Sequence, residues 1–469
     1  MAHHVATRYR SFVSDADPTS RSRSTPGVVT RRAAVGTLAA AGAGFALFGP
    51  RGARENVGRR LVLDYWEKWT GHEGAAMQRV VDRFNDSQDR LFVRYFVTSA
   101  IDQKSLVAIA GGDPPDVIGL WNFNVPPYAE SGAILPLDQL APAAGLSLDQ
   151  YQPGVRQVMT HRGQWWATTS TAGTLAMYFN KSLFRAAGLD PDHPPRTIEE
   201  LDAAHDRLTV RNQRGEYERV GFLHTEPGWW SWIWGYHFGG SIYDEAHNRA
   251  LIDSPRNLAA YRWMQSYPRS LGMDRMERFR SGFGNYGTPQ NAFLTGKVAM
   301  VIQGPWLANM VQAFAPDLDY GVAPFPVAQS AYQPDAPVSL IDTDVLVIPR
   351  GAKRPEASME FIAFTQRQDV QEELATAHCK GSPLVSVSDA FLRRHPNRGV
   401  RLHNHLAGSP RAFICPPTRA WKEFKDGFDS AVQRLWALAS DSDNILSAIQ
   451  RSTQTLLDRT AAQAARRHA

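Results

Sequence analysis

The sequence of 469 residues contains only two cysteines, Cys379 and Cys415. Two thiols are too few for a structural zinc site, which takes four ligands, mainly cysteine and histidine. A chain of this length buries about three quarters of its unfolded surface, so it needs no disulfide or metal to fold. Both cysteines lie in the C-terminal third, and the sequence is compatible with a disulfide and with two free thiols.

Catalytic signatures are also missing. The sequence has no phosphate-binding loop, nucleophile elbow, H-E-x-x-H motif or strand-linked dinucleotide fingerprint. His403 and His405 are a candidate metal pair, but an isolated pair in a polar loop more often belongs to a solvated turn. Asp342 and Asp344 are candidate paired carboxylates for acid–base work on a glycosidic bond. At positions i and i+2 they need not face the same space, and such acids also accept hydrogen bonds from hydroxyls.

The sequence has no excess of basic charge outside the N-terminus. Residues 1–60 hold ten arginines and three acidic residues, whereas the remainder holds 41 basic and 43 acidic residues. The body is therefore close to neutral, which argues against a nucleic-acid partner held by phosphate contacts. A neutral small-molecule ligand suits this balance better.

The arginine-rich N-terminus has the layout of an export leader. Arg31 and Arg32 precede an uncharged apolar run at 33–48, which is shorter than the roughly 20 residues of a membrane-spanning helix. The adjacent arginines resemble a twin-arginine signal, and a disordered basic tail is the alternative. We expect residues 1–60 to be leader and linker, and the protein to be exported to the periplasm or the cell exterior. No clean cleavage site follows residue 48, which leaves open both a cleaved leader and a residual membrane anchor.

Strand and helix patterns alternate from residue 61 onward. Apolar or alternating runs predict strands at 61–66, 91–97, 116–121, 175–180, 298–303, 320–323 and 345–348. Helical spacing predicts helices at 74–88, 103–110, 182–187, 198–208, 306–314, 355–365, 370–377, 421–438 and 445–457. Thr197 and Glu200 have the spacing of a capping box before the fourth of these helices. The alternation predicts an α/β fold with a mostly parallel sheet covered by helices.

Tryptophan is unusually abundant, with 13 residues, several of them at the ends of predicted elements. An indole offers a flat, rigid surface to the apolar face of a pyranose, while carboxylates and amides accept hydrogen bonds from the sugar hydroxyls. Open α/β sheets place ligands at the carboxyl ends of their strands. Core packing is the alternative for each indole, and helical spacing favours it for Trp263 and Trp436. The candidate sugar-binding residues are Trp66, Glu67, Trp69, Trp121, Asn122, Trp229, Trp230, Trp306, Asp342 and Asp344.

Four segments together resemble a known family. They are AGGDPPDV at 110–117, AESGAILPLD at 129–138, MYFNKSLF at 177–184 with AGL at 187–189 and PPRT at 194–197, and AFLTGKVAM at 292–300 with QGPW at 303–306. In this order and spacing they are similar to the extracellular solute-binding proteins of carbohydrate ABC importers, the maltose-binding-protein superfamily. Two departures stand out, because Ile198 replaces the tryptophan usual after P-x-T, and the proline that relatives often carry before the third segment is missing.

The resemblance implies a two-lobe, type II Venus-flytrap fold with discontinuous lobes and a cleft between them. By analogy, the first lobe comprises 61–172 and 327–376, and the second comprises 175–325 and 383–469. Crossings are expected near 170–174, 324–327 and 377–383. The resemblance also adds Trp421 as a ligand-binding aromatic and matches Trp306 to a ligand-stacking tryptophan.

The expected function follows from both arguments. We expect a monomeric binding protein that captures a sugar or oligosaccharide and delivers it to an ABC permease in the membrane, with no catalysis, cofactor or metal. Hinge closure over the ligand would complete the site. The alternatives are a carbohydrate hydrolase or lyase using Asp342 and Asp344, and a binder of a non-sugar solute such as a polyamine, peptide or metal chelate.

Overall fold

The computed structural model describes residues 57–468. The predicted export signal lies outside the described residues. From Arg59 to the C-terminus the chain forms one compact unit. Among the residues described, no helix has both the length and the apolar character needed to cross a membrane.

The strands are numbered in chain order. They are β1 (Leu61–Glu67), β2 (Leu91–Val97), β3 (Val117–Trp121), β4 (Thr160–His161), β5 (Gln164–Trp165), β6 (Thr168–Thr171), β7 (Ala176–Asn180), β8 (Val210–Arg211), β9 (Tyr217–Phe222), β10 (Tyr243–Asp244), β11 (Arg249–Ala250), β12 (Val298–Gln303), β13 (Tyr320–Ala323), β14 (Ser339–Leu340), β15 (Asp344–Val347) and β16 (Ala412–Phe413).

The helices are numbered in the same way. They are α1 (Gly71–Ser87), α2 (Ile101–Ala110), α3 (Val125–Glu130), α4 (Leu140–Ala143), α5 (Pro153–Met159), α6 (Lys181–Ala186), α7 (Ile198–Leu208), α8 (Trp234–His237), α9 (Pro255–Leu271), α10 (Met273–Arg280), α11 (Leu307–Phe314), α12 (Pro355–Thr365), α13 (Gln368–Ala377), α14 (Asp389–Arg394), α15 (Val400–Ala407), α16 (Trp421–Trp436) and α17 (Ser442–His468). Short 3₁₀ turns occur at Asn122–Asn124, Leu148–Gln150 and Gln329–Ala331.

Local chemistry explains where α7 begins. The side-chain oxygen of Thr197 accepts a hydrogen bond from the Glu200 N–H at 3.2 Å, which satisfies one of the free donors at the helix start. The Glu200 carboxylate accepts from the Arg196 N–H at 2.7 Å rather than from Thr197. The predicted capping box is therefore only half formed. The buried residues of α7 recur at helical spacing, which seats one face of the helix on the core.

Two five-stranded sheets organise the molecule. The first has the order β2-β1-β3-β15-β6, in which β1 pairs in parallel with β2 and β3 while β15 is antiparallel to both of its neighbours. The second has the order β13-β7-β12-β9-β8, and only the pair of β12 with β9 is parallel. The prediction of a mostly parallel sheet is wrong, because two of the four strand pairs in the first sheet are antiparallel, as are three of the four in the second sheet. Its strands β7 and β12 are buried throughout, a pattern typical of parallel strands, but strand direction depends on the tertiary path between them.

Segments that connect the two sheets lie side by side. The Asp342 N–H donates to the Gly173 carbonyl oxygen at 2.9 Å, and the Leu175 N–H donates to the Leu340 carbonyl oxygen at 3.2 Å. One connection therefore runs from β6 to β7 and the other from β14 to β15, in opposite directions. Two adjacent extended connections of this kind form a pair of strands on which two parts of the molecule can turn. The part built around the first sheet is called the first half, and the part built around the second sheet is called the second half.

The contacts of residues 327–340 bear on one of the predicted crossings. Val327 pairs with Thr197 at the start of α7, and β14 pairs with β16, so this stretch stays with the second half of the molecule. We propose that the chain crosses at 341–343 rather than at 324–327, because the bridged residues 340–342 lie in the paired connections. The irregular stretch between β13 and β14 carries no periodic pattern that could mark the crossing in the sequence. In other respects the predicted lobe ranges remain a prediction.

Each sheet has its own hydrophobic core. One large cluster surrounds the second sheet, and two smaller clusters cover the two faces of the first. Trp263 and Trp436 are 9% and 3% exposed and belong to the large cluster, which confirms the prediction of core packing for both.

The structure bears on two hypotheses from the sequence, a metal site at the histidine pair and a disulfide between the cysteines. His403 lies in α15, not in a polar loop, and its ring is buried between Thr174 Oγ1 and Tyr178 Oη, both at 2.9 Å. Across residues 57–468, no cluster of three or more histidine, cysteine or acidic side chains is placed to hold a metal ion. Cys379 and Cys415 are both buried and carry free thiols.

Candidate ligand-binding site

A cavity of about 670 Å³ opens beyond the carboxyl end of β3. One wall comes from α2, α3 and the Asn122–Asn124 turn, and the other from residues 229–232 and the start of α16. Residues 340–342, which end β14 and lead to β15, also line it. The cavity thus lies between the two halves, at the strand ends where open α/β sheets bind ligands. Its volume falls in the range of about 300–1,000 Å³ typical of small-molecule sites.

Indoles dominate the second-half wall. Trp229 is 42% exposed, which is unusual for a large apolar ring. Its ring meets the Trp230 ring edge-on, with the ring centres 5.5 Å apart. Trp230 is 8% exposed and leans on the Trp306 ring at 6.1 Å. On the opposite wall, Phe123 belongs to the turn that follows β3. Flat apolar surfaces therefore face the cavity from both halves.

A carboxylate lies beside these rings. Asp342 lines the cavity between the two walls, and burial together with the nearby Asp344 carboxylate raises the pKa of Asp342 to about 6. The Lys380 ammonium and a hydrogen bond from the Trp230 side chain act in the opposite direction. At neutral pH the carboxylate is ionised and accepts hydrogen bonds, and below about pH 6 it also becomes a donor.

A buried ion cluster, formed by Asp344, Lys68 and Lys380, lies next to Asp342. One carboxylate oxygen of Asp344 meets Lys68 Nζ at 3.0 Å, and the other meets Lys380 Nζ at 2.8 Å and Thr171 Oγ1 at 3.1 Å. Burial alone would raise the pKa of Asp344, but the ammonium groups of Lys380 and Lys68 outweigh it and hold that pKa well below its usual range. Both oxygens of Asp344 are thus committed to neighbours inside the protein.

Glu67 is similarly occupied. Its carboxylate is fully buried and accepts from Tyr65 Oη at 2.6 Å, from the Lys68 N–H at 2.7 Å and from Lys68 Nζ at 3.2 Å. These contacts tie β1 to the ion cluster. In this arrangement Glu67 supports Lys68 rather than facing the cavity.

The structure divides the predicted ligand residues into two groups. Those that line the cavity are Asn122, Trp229, Trp230, Asp342 and Trp421. Those outside its lining are Trp66, Glu67, Trp69, Trp121, Trp306 and Asp344. Trp421 is only 3% exposed and packs against Trp232 at 5.0 Å, so it presents a small part of its ring. Ligand contact stays a prediction for both groups.

Several indoles outside the lining contact the ion cluster or the cavity wall. Lys68 Nζ lies 5.0 Å from the Trp69 ring centre and 5.4 Å from that of Trp121, within the range of a cation–π contact. The Trp306 ring packs directly over Gly304, which leaves room for it because it has no side chain. A Cβ atom on Gly304 would fall 2.3 Å from the ring. The Gly304-Pro305-Trp306 sequence therefore seats the indole that supports Trp230.

Sequence reasoning missed other residues of the lining. Phe123 and Asn124 follow Asn122 directly at the end of β3, so the strand-end rule that selected Asn122 also applies to them. Asn124 Oδ1 is buried and has no hydrogen-bond partner in the described part of the chain. Gln103 and Arg419 carried no such signal, because the tertiary packing of α2 and of the loop before α16 brings them to the cavity.

Two sheets joined by paired connections, with an aromatic and acidic cavity between them, define a two-lobe α/β ligand-binding protein. The profile of the bacterial extracellular solute-binding protein family matches residues 68–372. The chain belongs to this family. The resemblance inferred from the sequence and the two-lobe fold are thereby confirmed.

Relatives and solved structures agree with this assignment. The maltotriose-binding protein of Pyrococcus abyssi is 23% identical over 271 residues, which are 57% of this chain and 54% of the relative. The chain therefore spans about half the length of that curated relative. The structure of CpMnBP1 with mannobiose bound is 26% identical, with a TM-score of 0.72 over 84% of this chain and 99% of the other. The cyclic alpha-maltosyl-1,6-maltose binding protein of Arthrobacter globiformis shares the fold, with 19% identity, a TM-score of 0.69, and coverage of 85% of this chain and 100% of the other.

Proposed function

We propose that this protein is the substrate-binding component of an ABC importer, which captures a sugar or short oligosaccharide between its lobes and delivers it to a membrane permease. The observation that carries the proposal is the cavity between the two halves, in which Trp229 and Trp230 lie beside Asp342. Membership of the solute-binding family supports it.

The chemistry of the cavity suits a saccharide. A pyranose has an apolar face of C–H groups, for which an exposed indole such as Trp229 is a rigid, complementary surface. The rim of hydroxyls needs acceptors and donors, which Asp342 and Asn122 supply. An ionised acceptor forms stronger hydrogen bonds than a neutral one, so Asp342 would orient the ligand. We propose Asn122, Trp229, Trp230, Asp342 and Trp421 as contacts, with Trp66, Glu67, Trp69, Trp121, Trp306 and Asp344 supporting them.

The names of two similar proteins point the same way. The relative from Pyrococcus abyssi is named for maltotriose, and the solved structure with a TM-score of 0.72 holds mannobiose. Both ligands are short neutral saccharides. Similarity at this level supports the class of ligand and leaves its linkage to experiment.

A hydrolytic function is the second candidate, since Asp342 and Asp344 have pKa values displaced in opposite directions, as in an acid and base pair. The contacts of Asp344 argue against it. Lys68, Lys380 and Thr171 engage both of its oxygens, which leaves no free oxygen for a nucleophile or a base. We therefore propose binding without catalysis. Product analysis after incubation with oligosaccharides tests this, because any cleavage by the wild type that Asp342→Asn abolishes would contradict it.

Closure of the lobes would deliver the ligand in an enclosed form. The adjacent connections at 173–175 and 340–342 are the proposed hinge. We further propose that the protein acts as an exported monomer, with the Arg31 and Arg32 leader directing export. Cell fractionation of the full chain and of an Arg31→Lys, Arg32→Lys variant tests the leader, since retention of the variant in the cytoplasm is the expected result.

A thermal-shift screen tests the proposed function directly. The purified protein is heated with mono-, di- and oligosaccharides, and a ligand selective for the folded state raises the melting temperature, by an amount that corresponds to about 2.7 kcal/mol at 100 times the dissociation constant. Polyamines, peptides and metal chelates are the comparison set. Stabilisation by the comparison set and by no saccharide would overturn the proposal.

A further inference from the structure

A short segment, residues 378–382, follows α13, and both halves of the molecule contact it. From the first half, the Asp344 carboxylate meets Lys380 Nζ at 2.8 Å, and Ala172, at the end of the first sheet, forms a β-bridge with Gly381. From the second half, the contacts are hydrogen bonds between asparagine side chains and the backbone of the segment. The 378–382 segment therefore lies where the two halves meet.

Two of these asparagines hold neighbouring carbonyl groups of the segment. Asn397, which is buried between α14 and α15, donates from Nδ2 to the Cys379 carbonyl oxygen at 3.0 Å. Asn309 in α11 donates to the His378 carbonyl oxygen at 3.1 Å. Cys379 has a left-handed backbone conformation, with φ at 55°, which is unfavourable for a residue with a Cβ atom. Such a conformation persists only where the surrounding structure holds it, and Asn397 supplies one of the contacts that do so.

The side chain of Asn397 also holds the turn that carries Trp306. Its Nδ2 group donates to the Pro305 carbonyl oxygen at 3.1 Å, and its Oδ1 atom accepts from the Gly399 N–H at 2.7 Å. An amide group offers two donors, and here both are used on backbone carbonyl groups that lie far apart in the sequence. Asn397 therefore ties Pro305 to Cys379.

Trp306 transmits this position to the ligand-binding cavity. Its ring centre lies 5.8 Å from Lys380 Nζ, and a Cβ atom on Gly173 would fall 3.0 Å from the ring, so the indole is packed where the halves meet. The ring centre of Trp230 is 6.1 Å away, and the Trp230 side chain donates a hydrogen bond to Asp342. A displacement of Trp306 would therefore move part of the cavity wall.

We propose that Asn397 is a positioning residue for ligand binding, which sets the place of Trp306, and through it that of Trp230, relative to the 378–382 segment. The inference rests on the proposed function. Asn397 is not part of the cavity lining, so it acts on affinity through the indoles that it positions. Packed side chains that touch no ligand change affinity by about 2- to 30-fold when they are coupled to a site in this way.

Isothermal titration calorimetry of matched asparagine variants tests the inference, with maltose to maltopentaose and mannobiose to mannopentaose as probes. Asn397→Leu keeps the size of the side chain and leaves two carbonyl groups without their donor. Asn257→Leu is the matched control, because Asn257 is also buried and donates from Nδ2 to the carbonyl oxygens of Ser241 and Leu251, at 2.8 and 2.7 Å. We expect both variants to lose resistance to urea to a similar extent. Affinity should be about fivefold weaker in Asn397→Leu and within about twofold of the wild type in Asn257→Leu.

A double-mutant cycle with Trp306→Ala shows whether Asn397 acts through that indole. In the absence of the Trp306 ring, Asn397→Leu should weaken binding by less than about twofold, whereas a general loosening of the fold would weaken binding equally in both backgrounds. Asn397→Ser keeps a hydroxyl donor and replaces Asn397→Leu in the cycle if the latter does not fold. A smaller loss of affinity, in the same direction, is expected for it.

The outcomes separate this inference from the proposed function. Wild-type affinity in the Asn397 variants, equal losses of affinity in the Asn397 and Asn257 variants, or an equal loss with and without the Trp306 ring overturns the inference and leaves the proposed function intact. No binding of either probe series by the wild type overturns both.

Discussion

Lys380 Nζ lies 2.8 Å from a carboxylate oxygen of Asp344, and both side chains are buried. The contact joins the segment after α13 to the first residue of β15, close to the bridge between Ala172 and Gly381. A second ammonium, from Lys68, meets the other oxygen of Asp344 at 3.0 Å. The carboxylate thereby holds together the start of β15, the segment after α13 and the residue that follows β1.

Replacing Lys380 with methionine should lower the free energy of unfolding by about 3–5 kcal/mol. The change keeps the length of the side chain and removes one of the two charges that compensate the buried Asp344 carboxylate. Urea denaturation followed by circular dichroism measures the effect. Lys422→Met is the matched control, because its ion pair with Asp426 is exposed and its loss should cost less than about 1 kcal/mol. Equal effects in the two variants would contradict a structural role for the buried pair.

Substitutions of Trp229 and Trp232 should affect different properties, ligand affinity in the first case and folding stability in the second. Trp229 is 42% exposed beside the cavity, so Trp229→Ala should weaken saccharide binding by about 1–3 kcal/mol and change stability little. Trp232 is 2% exposed and packs edge-on against Trp421 and Phe413, so Trp232→Ala should lower stability by about 3–5 kcal/mol. Calorimetry measures the first effect and denaturant titration the second. A large stability loss in Trp229→Ala would assign that ring to the core instead.

The predicted elements that match the structure have strong local patterns. The strand at 91–97, the strand at 298–303 and the helix at 198–208 have the predicted bounds, because alternating burial, continuous burial and a capped amphipathic face are each encoded within the segment. The helix Pro255–Leu271 escaped prediction. Its buried face includes Asn257, Gln265 and a proline near its end, so polar and helix-breaking residues obscure its helical period.

The candidate site was predictable to a similar extent. Asn122 and Asp342 lie next to strand ends, where general rules for α/β sheets place ligands, and Trp230 belongs to a cluster of tryptophans that the sequence makes conspicuous. Composition could not separate Trp229 from Trp232, which are three positions apart, because exposure depends on how residues 229–232 turn against α16. Nor could sequence spacing show that Asp344 is occupied by Lys68 and Lys380, which lie far away along the chain.

Asp342 should make stability depend on pH. Its pKa is raised to about 6 in the folded protein, above about 3.9 for an unfolded aspartate, so the folded state favours the neutral carboxyl group. The resulting contribution to stability is complete below about pH 4 and is lost as the pH rises through 6. Relative to Asp342→Asn, the wild type should therefore lose about 2 kcal/mol between pH 4 and 7.

Denaturant titrations of both proteins across this pH range measure that loss. Trp229→Ala is the control, because Trp229 lines the same cavity but has no titratable group. This variant should show the same dependence of stability on pH as the wild type. Parallel profiles for the wild type and Asp342→Asn would contradict a half-buried carboxyl group that titrates with a raised pKa.

A methyl group on Gly304 should displace the indole of Trp306. The Cβ atom of an alanine there would lie 2.3–2.4 Å from three ring carbons of Trp306, well inside van der Waals contact. Overpacking of this kind costs about 1–3 kcal/mol, and the displaced ring would press on Trp230, which it meets at 6.1 Å. We therefore expect Gly304→Ala to lower both the free energy of unfolding and the affinity for saccharide.

Removing the ring should remove the clash. In the double variant Gly304→Ala, Trp306→Ala, the alanine at 304 should cost less than it does beside the intact indole, giving a coupling energy of about 1 kcal/mol or more. A double-mutant cycle by denaturant titration measures this coupling, and calorimetry of the same four proteins shows whether Trp230 needs the support of Trp306 to bind ligand. Additive stability effects would mean that the indole does not depend on the glycine, and that the Gly304-Pro305-Trp306 sequence acts through the backbone instead.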